Sequence, residues 1–157
     1  MTDEIRFYRA NHKPYGCFSN LYRCSVEFEG RIHPTAEHAY QFGKPRKPEV
    51  RDWLMVAPSP SLLAMAAHGL YSWDVAPGWS VGRYARMQAV VHAKFSQNPD
   101  LAEILLGTGD ARIVESTSFN NEVNRRWGEV YLPSGVWVGE NWLGKILMET
   151  RTKLREI

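Results

Sequence analysis

The sequence predicts a single, mainly helical α+β domain with a small antiparallel sheet near its N-terminus. Two observations lead to this prediction: strand-like runs around a turn in the first quarter of the chain, and helical periodicity through much of the remainder. The length of 157 residues favours one domain spanning residues 1–157. A hydrophobic content of 44% is typical of a globular protein with its own core.

The strand predictions concern the N-terminal quarter and one later segment. Residues 5–8 and 21–28 are strand-like, and Glu29-Gly30 predicts a turn into a strand over 31–33. We expect a two-stranded ribbon here, with residues 5–8 as the candidate for a third strand. A further strand is predicted over 112–115.

The helix predictions begin at Pro34, because proline fits the first turn of a helix, and this helix is expected to reach Gly43. The longest helix is predicted with Ser80 as its N-cap, and the last with Asn141 as its N-cap. The long segment 116–140 is expected to be a loop. The longest helix covers 80–97 and the last covers 141–155, and shorter helical segments are 48–55, 61–68 and 101–106.

Charge and motifs exclude several functional classes. A net charge of +2 is lower than is usual for a dedicated nucleic-acid binder, although a phosphorylated small molecule needs only a few local cations. No phosphate-loop or dinucleotide fingerprint occurs, and the five histidines lack metal-ligand spacing, so neither a cofactor nor a metal is expected. We expect no membrane segment and no export signal. With only Cys17 and Cys24 as thiols, this favours a cytoplasmic location.

An acid, an amide and an amine recur at helical spacing after Pro34. Glu37, Gln41 and Lys44 would lie on one face of a helix, where the carboxylate could stabilise positive charge at an anomeric carbon or deprotonate water. Gln41 could then hold sugar hydroxyls. The alternative is a solvent-exposed ladder of weak side-chain pairs, which the spacing alone favours.

Further candidates lie in three other segments. Between Tyr15 and Asn20, Gly16 permits a tight backbone, while Ser19 and Asn20 could bind a ribose or its phosphate; a self-bonded turn is the alternative. Trp79 and Trp127 could stack on a base or simply pack against the core.

Two arginines near the start of the longest predicted helix, Arg83 and Arg86, are candidates for binding phosphate. A solvated helix face is the commoner reason for such a pair.

In the order in which they occur, the motifs resemble the YbiA-like family of N-glycosidases within the NADAR grouping. The resemblance covers nearly the whole chain. The matching residues are Gly16-x-Phe18-Ser19-Asn20; Pro34-Thr35-x-Glu37-His38-x-Tyr40-Gln41 with Lys44; Trp79 and the segment to Met87; Ala93-Lys94-Phe95-x-Gln97; Leu105-Leu106-x-Thr108; Val114-Glu115-x-Thr117; Trp127-Gly128; and Gly139-x-Asn141-x-Leu143-Gly144-x-x-Leu147-Met148-x-x-Arg151.

The resemblance implies an enzyme that hydrolyses a ribosyl C–N bond. It implies Glu37 as the catalytic carboxylate, Trp79 and Trp127 as pocket walls, and either a covalent Schiff base on Lys44 or direct attack by water. The other expected substrate-binding residues are Gly16, Phe18, Ser19, Asn20, Gln41 and Arg83.

One departure from the family pattern lies before Trp127. The family often has an aspartate there, whereas this chain has Asn124 at the expected distance and Glu122 as the nearest acid. We include Asn124 among the catalytic candidates, with Glu122 as the alternative substitute.

The expected substrate is a phosphorylated ribosylamino-pyrimidine, an intermediate of riboflavin biosynthesis. The first alternative is an ADP-ribosyl hydrolase acting on guanine bases of nucleic acid. A second alternative is a module that binds ADP-ribose or NAD without cleaving it. The sequence does not predict an oligomeric state.

Overall fold

The computed structural model describes residues 3–157, which contain seven α-helices and six β-strands. The strands are β1 (Glu4–Phe7), β2 (Arg23–Phe28), β3 (Arg31–Thr35), β4 (Arg112–Thr117), β5 (Glu129–Tyr131) and β6 (Trp137–Val138). The helices are α1 (Ala36–Gln41), α2 (Pro48–Met55), α3 (Pro60–His68), α4 (Trp79–Gln97), α5 (Pro99–Leu106), α6 (Glu122–Trp127) and α7 (Trp142–Arg155). The predicted α+β class is confirmed.

The described residues form two compact units. One unit consists of residues 23–97, and the other combines residues 3–22 with residues 98–157. The prediction of a single domain spanning 1–157 stays a prediction.

The unit of residues 23–97 is built on the predicted ribbon. Strands β2 and β3 pair antiparallel, and the turn between them has Glu29 at φ 52° and Gly30 at φ 77°. Two successive residues with positive φ are typical of the tight turn that suits the twist of a hairpin. Helix α4 packs against β2, and α1 packs against α3 and α4. The buried side chains of this unit include Val26, Ala39, Tyr40, Leu54, Leu63, Ala67, Met87, Val90, Val91 and Phe95.

The other unit contains a four-stranded mixed sheet in the order β1-β4-β5-β6. Strand β4 pairs parallel with both β1 and β5, and β6 pairs antiparallel with β5. Ile113 and Val114, adjacent in β4, are both fully buried, as expected for a strand covered on both faces. Helix α7 packs against β4, with Leu143, Ile146 and Leu147 buried.

Asn141 links α7 to β4 in a way that differs from the predicted N-cap. Its backbone has φ 53°, and its side chain makes no capping hydrogen bond to α7. Instead its Nδ2 donates to the carbonyl of Ile113 at 2.9 Å, and its Oδ1 accepts from the backbone N of Glu115 at 3.3 Å. The residue precedes the helix as predicted, but it holds the strand rather than the helix end.

Three predictions of local structure are wrong. Residues 5–8 do not extend the ribbon, because β1 pairs with β4 over a separation that no local pattern reveals. Helix α1 begins at Ala36 rather than Pro34, because the side chain of Thr35 accepts a hydrogen bond from His38 N and caps the helix. Ser80 lies inside α4, which begins at Trp79.

The segment 116–140 is also not a continuous loop. It contains α6, capped by the side chain of Asn121, which accepts from Asn124 N at 2.8 Å. Strands β5 and β6 follow, and β5 is held by its parallel pairing with β4. These elements are two to six residues long, too short for periodicity to identify.

Candidate active site

Glu37 lies in the first turn of α1 with its carboxylate buried. Its Oε1 accepts a hydrogen bond of 2.8 Å from Nε2 of Gln41, one helical turn later. Burial raises the pKa of the Glu37 carboxyl above its usual value, while the hydrogen bond from Gln41 and the charge of Lys44 act in the opposite direction. A carboxyl group in this environment is suited to exchanging a proton during a reaction. The exposed ladder considered from the sequence is therefore wrong.

Gln41 has an unused acceptor beside this carboxylate. Its side chain is buried, and no residue within the described range 3–157 donates a hydrogen bond to its Oε1. A buried amide oxygen without a donor costs free energy, so such groups usually have a reason. A hydroxyl or N–H group of a ligand could satisfy this oxygen.

Lys44 lies three residues beyond the end of α1, in the turn that follows it. Its Nζ donates a 2.7 Å hydrogen bond to the carbonyl of Ala67 in α3. Burial lowers the pKa of the Lys44 ammonium, and the charge of Arg83 lowers it further, whereas the charge of Glu37 raises it. The lowered pKa makes the neutral, nucleophilic amine more accessible than in an ordinary lysine. No local sequence pattern identifies Ala67 as its partner, because the contact joins the turn after α1 to α3, 23 residues later in the chain.

Trp79 and Arg83 lie in the first turns of α4. The Trp79 indole is half-buried, and its centroid lies 4.9 Å from that of the buried Tyr40 ring at an interplanar angle of 52°. Arg83 is close enough for its charge to act on Lys44. Within residues 23–97 the structure thus brings together the row of Glu37, Gln41 and Lys44, with Arg83 near the lysine.

Arg86, a candidate for binding phosphate, instead holds the end of α1. Its Nε donates to the carbonyl of Tyr40 at 2.9 Å, its Nη2 donates to that of Ala39 at 2.7 Å, and its Nη1 pairs with Glu29 at 2.8 Å. A Cβ added to Gly43 would lie only 2.4 Å from Cζ of this guanidinium. Glycine at position 43 therefore leaves the space that the arginine fills.

The candidate segment at residues 16–20 belongs to the other unit. Phe18 is fully buried, edge-on to Phe7 and stacked with Tyr15, which makes its ring part of the core. The Oγ of the buried Ser19 accepts a hydrogen bond from Leu21 N at 3.2 Å.

Gly16 and Asn20 complete this segment. A Cβ on Gly16 would lie 2.4 Å from the carbonyl oxygen of Ala10, so the backbone approach requires glycine. Asn20 is half-buried.

Asn124 and Trp127 lie on α6. The side-chain amide of Asn124 donates to the carbonyl of Phe119 at 2.8 Å. Trp127 is half-buried and packs edge-on against Trp142, with ring centroids 5.3 Å apart. Glu122, the alternative acid, is 80% exposed and pairs with Arg126 at 2.7 Å. In this unit, therefore, neither candidate substitute for the aspartate supplies a buried carboxylate.

The described part of the chain contains neither a metal-binding cluster nor a membrane-spanning helix. Among residues 3–157 no three His, Cys, Asp or Glu side chains are grouped so as to hold a metal ion. None of the helices in that range combines the length and apolar character needed to cross a membrane.

Comparison with known proteins identifies relatives over nearly the entire chain. N-glycosidase YbiA of Escherichia coli is 30% identical over 154 residues, which cover 98% of this chain and 91% of that protein. N-glycosidase Npun_R5314 of Nostoc punctiforme is 31% identical over 98% of this chain and 94% of its own. The riboflavin biosynthesis protein VVA0006 of Vibrio vulnificus is 30% identical over 99% of this chain but 40% of that protein.

Comparison of the fold identifies the same group of relatives. The NMR structure of E. coli YbiA superposes with a TM-score of 0.81 at 31% identity, covering 99% of this chain and 88% of that one. The family model of the NADAR domain matches residues 6–155. The resemblance inferred from the ordered motifs is confirmed, and this chain belongs to the NADAR domain family.

Proposed function

We propose that this chain is an N-glycosidase that hydrolyses the C–N bond between ribose and a base in a phosphorylated ribosylamino-pyrimidine. The observation that carries the proposal is the buried pair of Glu37 and Gln41 with Lys44 nearby, a carboxyl of raised pKa beside an amine of lowered pKa. The N-glycosidase names of several relatives support the reaction class. The riboflavin biosynthesis name of another supports the substrate.

Glycosidic C–N cleavage develops positive charge at the anomeric carbon as the base departs. The Glu37 carboxylate would stabilise that charge or take a proton from the attacking water. Gln41 would accept a hydrogen bond from a sugar hydroxyl through its unused Oε1. In the same proposal Arg83 binds the phosphate, and Trp79 forms a wall against the base.

Lys44 provides a covalent alternative to direct attack by water. Its neutral amine attacks C1′, the C1′–N bond to the base breaks, and the base leaves with the bonding electrons and takes up a proton. The amine loses a proton, and the sugar ring opens to a Schiff base at C1′. Water then adds to the C=N bond and releases the free sugar, so that the reaction consumes one water in total.

The residues of the other unit, 3–22 with 98–157, are proposed to position the substrate rather than to take part in bond cleavage. Gly16, Phe18, Ser19 and Asn20 would support the substrate mainly through backbone shape, since the Phe18 ring is buried in the core. Asn124 would orient a hydroxyl or base edge rather than transfer a proton, because an amide has no titratable group. The proposed role of Trp127 is to stack on a base.

The proposed compartment is the cytoplasm, where thiols stay reduced. Cys17 and Cys24 form no disulfide.

The first test is the release of free base. Purified protein is incubated with ribosylamino-pyrimidine phosphate and, separately, with ADP-ribosylated guanosine or DNA, and free base and sugar are followed by mass spectrometry. Release from the first substrate alone supports the proposal. Release from the second alone would replace it with ADP-ribosyl hydrolysis of nucleobases, and binding without release would replace it with a non-catalytic ADP-ribose module.

The covalent route has its own test. Borohydride added during turnover reduces a Schiff base to a stable amine, which leaves the sugar covalently attached to the lysine. Mass spectrometry then detects the added mass of the sugar. The increment should disappear in Lys44→Ala and remain in Lys47→Ala, which removes an exposed lysine three residues away. If active enzyme gives no increment, direct attack by water is the route.

A further inference from the structure

A groove of about 350 Å³ lies in the unit of residues 23–97, and none of the row Glu37, Gln41 and Lys44 lines it. Its walls come from α2, the end of α3 and the segment that follows. The lining residues are Glu49, Val50, Trp53, Ala66, Gly69, Leu70, Tyr71 and Asp74. A mostly apolar concavity of this size with a few polar groups is typical of sites for small organic molecules.

The groove presents large aromatic side chains that remain exposed. Trp53 is 60% exposed, and Tyr71 is 64% exposed although its ring is stacked on that of Trp73 with centroids 4.6 Å apart. The stacking partner limits the motion of Tyr71, and Gly69 adds no side chain to the lining. Exposed indole and phenol rings beside a concavity provide flat surfaces for a planar ligand.

Two carboxylates are the only charged groups in the lining. Neither Glu49 nor Asp74 makes an ion pair or a side-chain hydrogen bond with any other residue in the described range 3–157. An ionised carboxylate only accepts hydrogen bonds, so a ligand must supply N–H donors or positive charge. The same two charges repel phosphate, which disfavours a nucleotide or a nucleic-acid backbone in the groove.

The groove is lined in part by two segments that also contact the lysine of the candidate active site. Ala66 lines the groove, while the carbonyl of its neighbour Ala67 accepts the hydrogen bond from Nζ of Lys44. The backbone N of Ala76, two residues after Asp74, donates to the carbonyl of Lys44 at 2.7 Å. A ligand in the groove would therefore rest on the segments that hold this lysine.

We propose that this groove is a second binding site, which takes a planar, amino-substituted nitrogen heterocycle without phosphate. Its ring would lie against Trp53 and Tyr71, and its amino groups would donate to Glu49 and Asp74. The proposal stands on the lining of the groove and goes beyond the proposed glycosidase reaction. The free base that this reaction would release belongs to the same chemical class.

The test uses 2,4-diamino-6-hydroxypyrimidine as the probe, titrated into ¹⁵N-labelled protein. We expect saturable shifts of the Trp53 indole N–H and of the backbone N–H groups of Gly69 and Tyr71. Uracil has no amino group and no 6-hydroxyl, and it offers only its two ring N–H donors, so it should shift these signals only at much higher concentration.

Variants separate this site from the catalytic one. Trp53→Ala should weaken probe binding by about fivefold or more, since loss of a stacked aromatic ring typically has an effect of that order. Asp74→Asn should also weaken it, whereas Glu103→Gln, which neutralises an exposed carboxylate on α5, should not. Glu37→Gln should leave groove binding intact, so that a failure of the glycosidase proposal is distinguishable from a failure of this one.

Several results would overturn the proposal. Absence of saturable shifts at the groove in millimolar probe is one, and shifts confined to Gln41 and Trp79 are another. Equal binding of uracil, or unchanged affinity in both Trp53→Ala and Asp74→Asn, would also reject it. Shifts that depend on protein concentration alone, with a doubled mass in light scattering, would assign the groove to contact with a second copy of the chain.

Discussion

Replacing Gly43 with alanine tests how the chain holds the end of α1 next to the candidate catalytic residues. The new Cβ would lie 2.4 Å from Cζ, 2.7 Å from Nε and 2.8 Å from Nη1 of Arg86. Carbon and nitrogen atoms do not approach so closely without bonding, so the guanidinium must move. The backbone of Gly43 does not have a positive φ, so alanine fits the backbone itself.

The cost follows from the contacts that Arg86 would lose. Its guanidinium donates to the carbonyls of Ala39 and Tyr40 and pairs with Glu29. A hydrogen bond involving a charged group contributes about 1.5–3 kcal/mol. If the displaced arginine keeps only part of this set, Gly43→Ala should lower the free energy of unfolding by about 1.5–3 kcal/mol.

The assay is a double-mutant cycle measured by urea denaturation. In an Arg86→Ala background the obstacle is gone, and Gly43→Ala should stabilise the fold by about 0.4–1 kcal/mol, because alanine restricts the unfolded chain. Gly82→Ala is the matched control, since a Cβ at Gly82 on the same helix as Arg86 meets no atom within 4 Å. We expect this control to be neutral or stabilising.

Additive effects of Gly43→Ala and Arg86→Ala on the free energy of unfolding would refute the reasoning. If Gly43→Ala destabilises equally with and without Arg86, the steric contact is not the cause. A small effect of Gly43→Ala in the wild-type background would show that the guanidinium finds equivalent partners elsewhere.

Two further predictions concern buried polar side chains. Burial raises the pKa of Glu37, so its contribution to stability is present below about pH 4.5 and is lost as the pH rises through the raised pKa. Glu37→Gln should therefore have a free energy of unfolding about 0.5–2 kcal/mol higher than wild type near neutral pH but not at acid pH. Thermal unfolding at neutral and at acid pH measures this difference, and a gain in stability that does not depend on pH would contradict the prediction. Asn141→Ala should lose about 2–4 kcal/mol in urea denaturation, because Ile113 O and Glu115 N lose their partner. Asn141→Gly should lose less free energy of unfolding than Asn141→Ala, since glycine accepts the positive φ of this position. Equal losses in the two variants would show that backbone strain does not contribute to the effect of alanine.

The sequence predicted those parts of the fold that depend on local signals. The hairpin follows from Glu29-Gly30 between two strand-like runs, and α4 follows from its regular apolar spacing. The mixed sheet was missed because β1 pairs with β4 at a distance of about a hundred residues in the chain. Helix α6 was missed because it is only six residues long.

In the candidate site, too, local sequence signals predict spacing along one helix but not contacts between distant segments. The spacing of Glu37 and Gln41 correctly predicted a shared helix face, but their burial depends on α1 packing against α3 and α4. Lys44 approaches Glu37 from beyond the helix end, bound to Ala67, which spacing could not indicate. Local sequence leaves Arg86 as a candidate for binding phosphate or as part of a solvated face, because its carbonyl partners belong to a segment almost fifty residues earlier.

The measurement that tests the central claim most directly is the rate of base release by Glu37→Gln under single-turnover conditions. The substrate is a ribosylamino-pyrimidine phosphate at saturating enzyme, and Glu103→Gln is the control. If Glu37 is the catalytic carboxylate, its amide variant should bind the substrate and release base about 10²–10⁴-fold more slowly, with the control unchanged. Base release by Glu37→Gln at the wild-type rate would contradict the account and remove Glu37 from the mechanism.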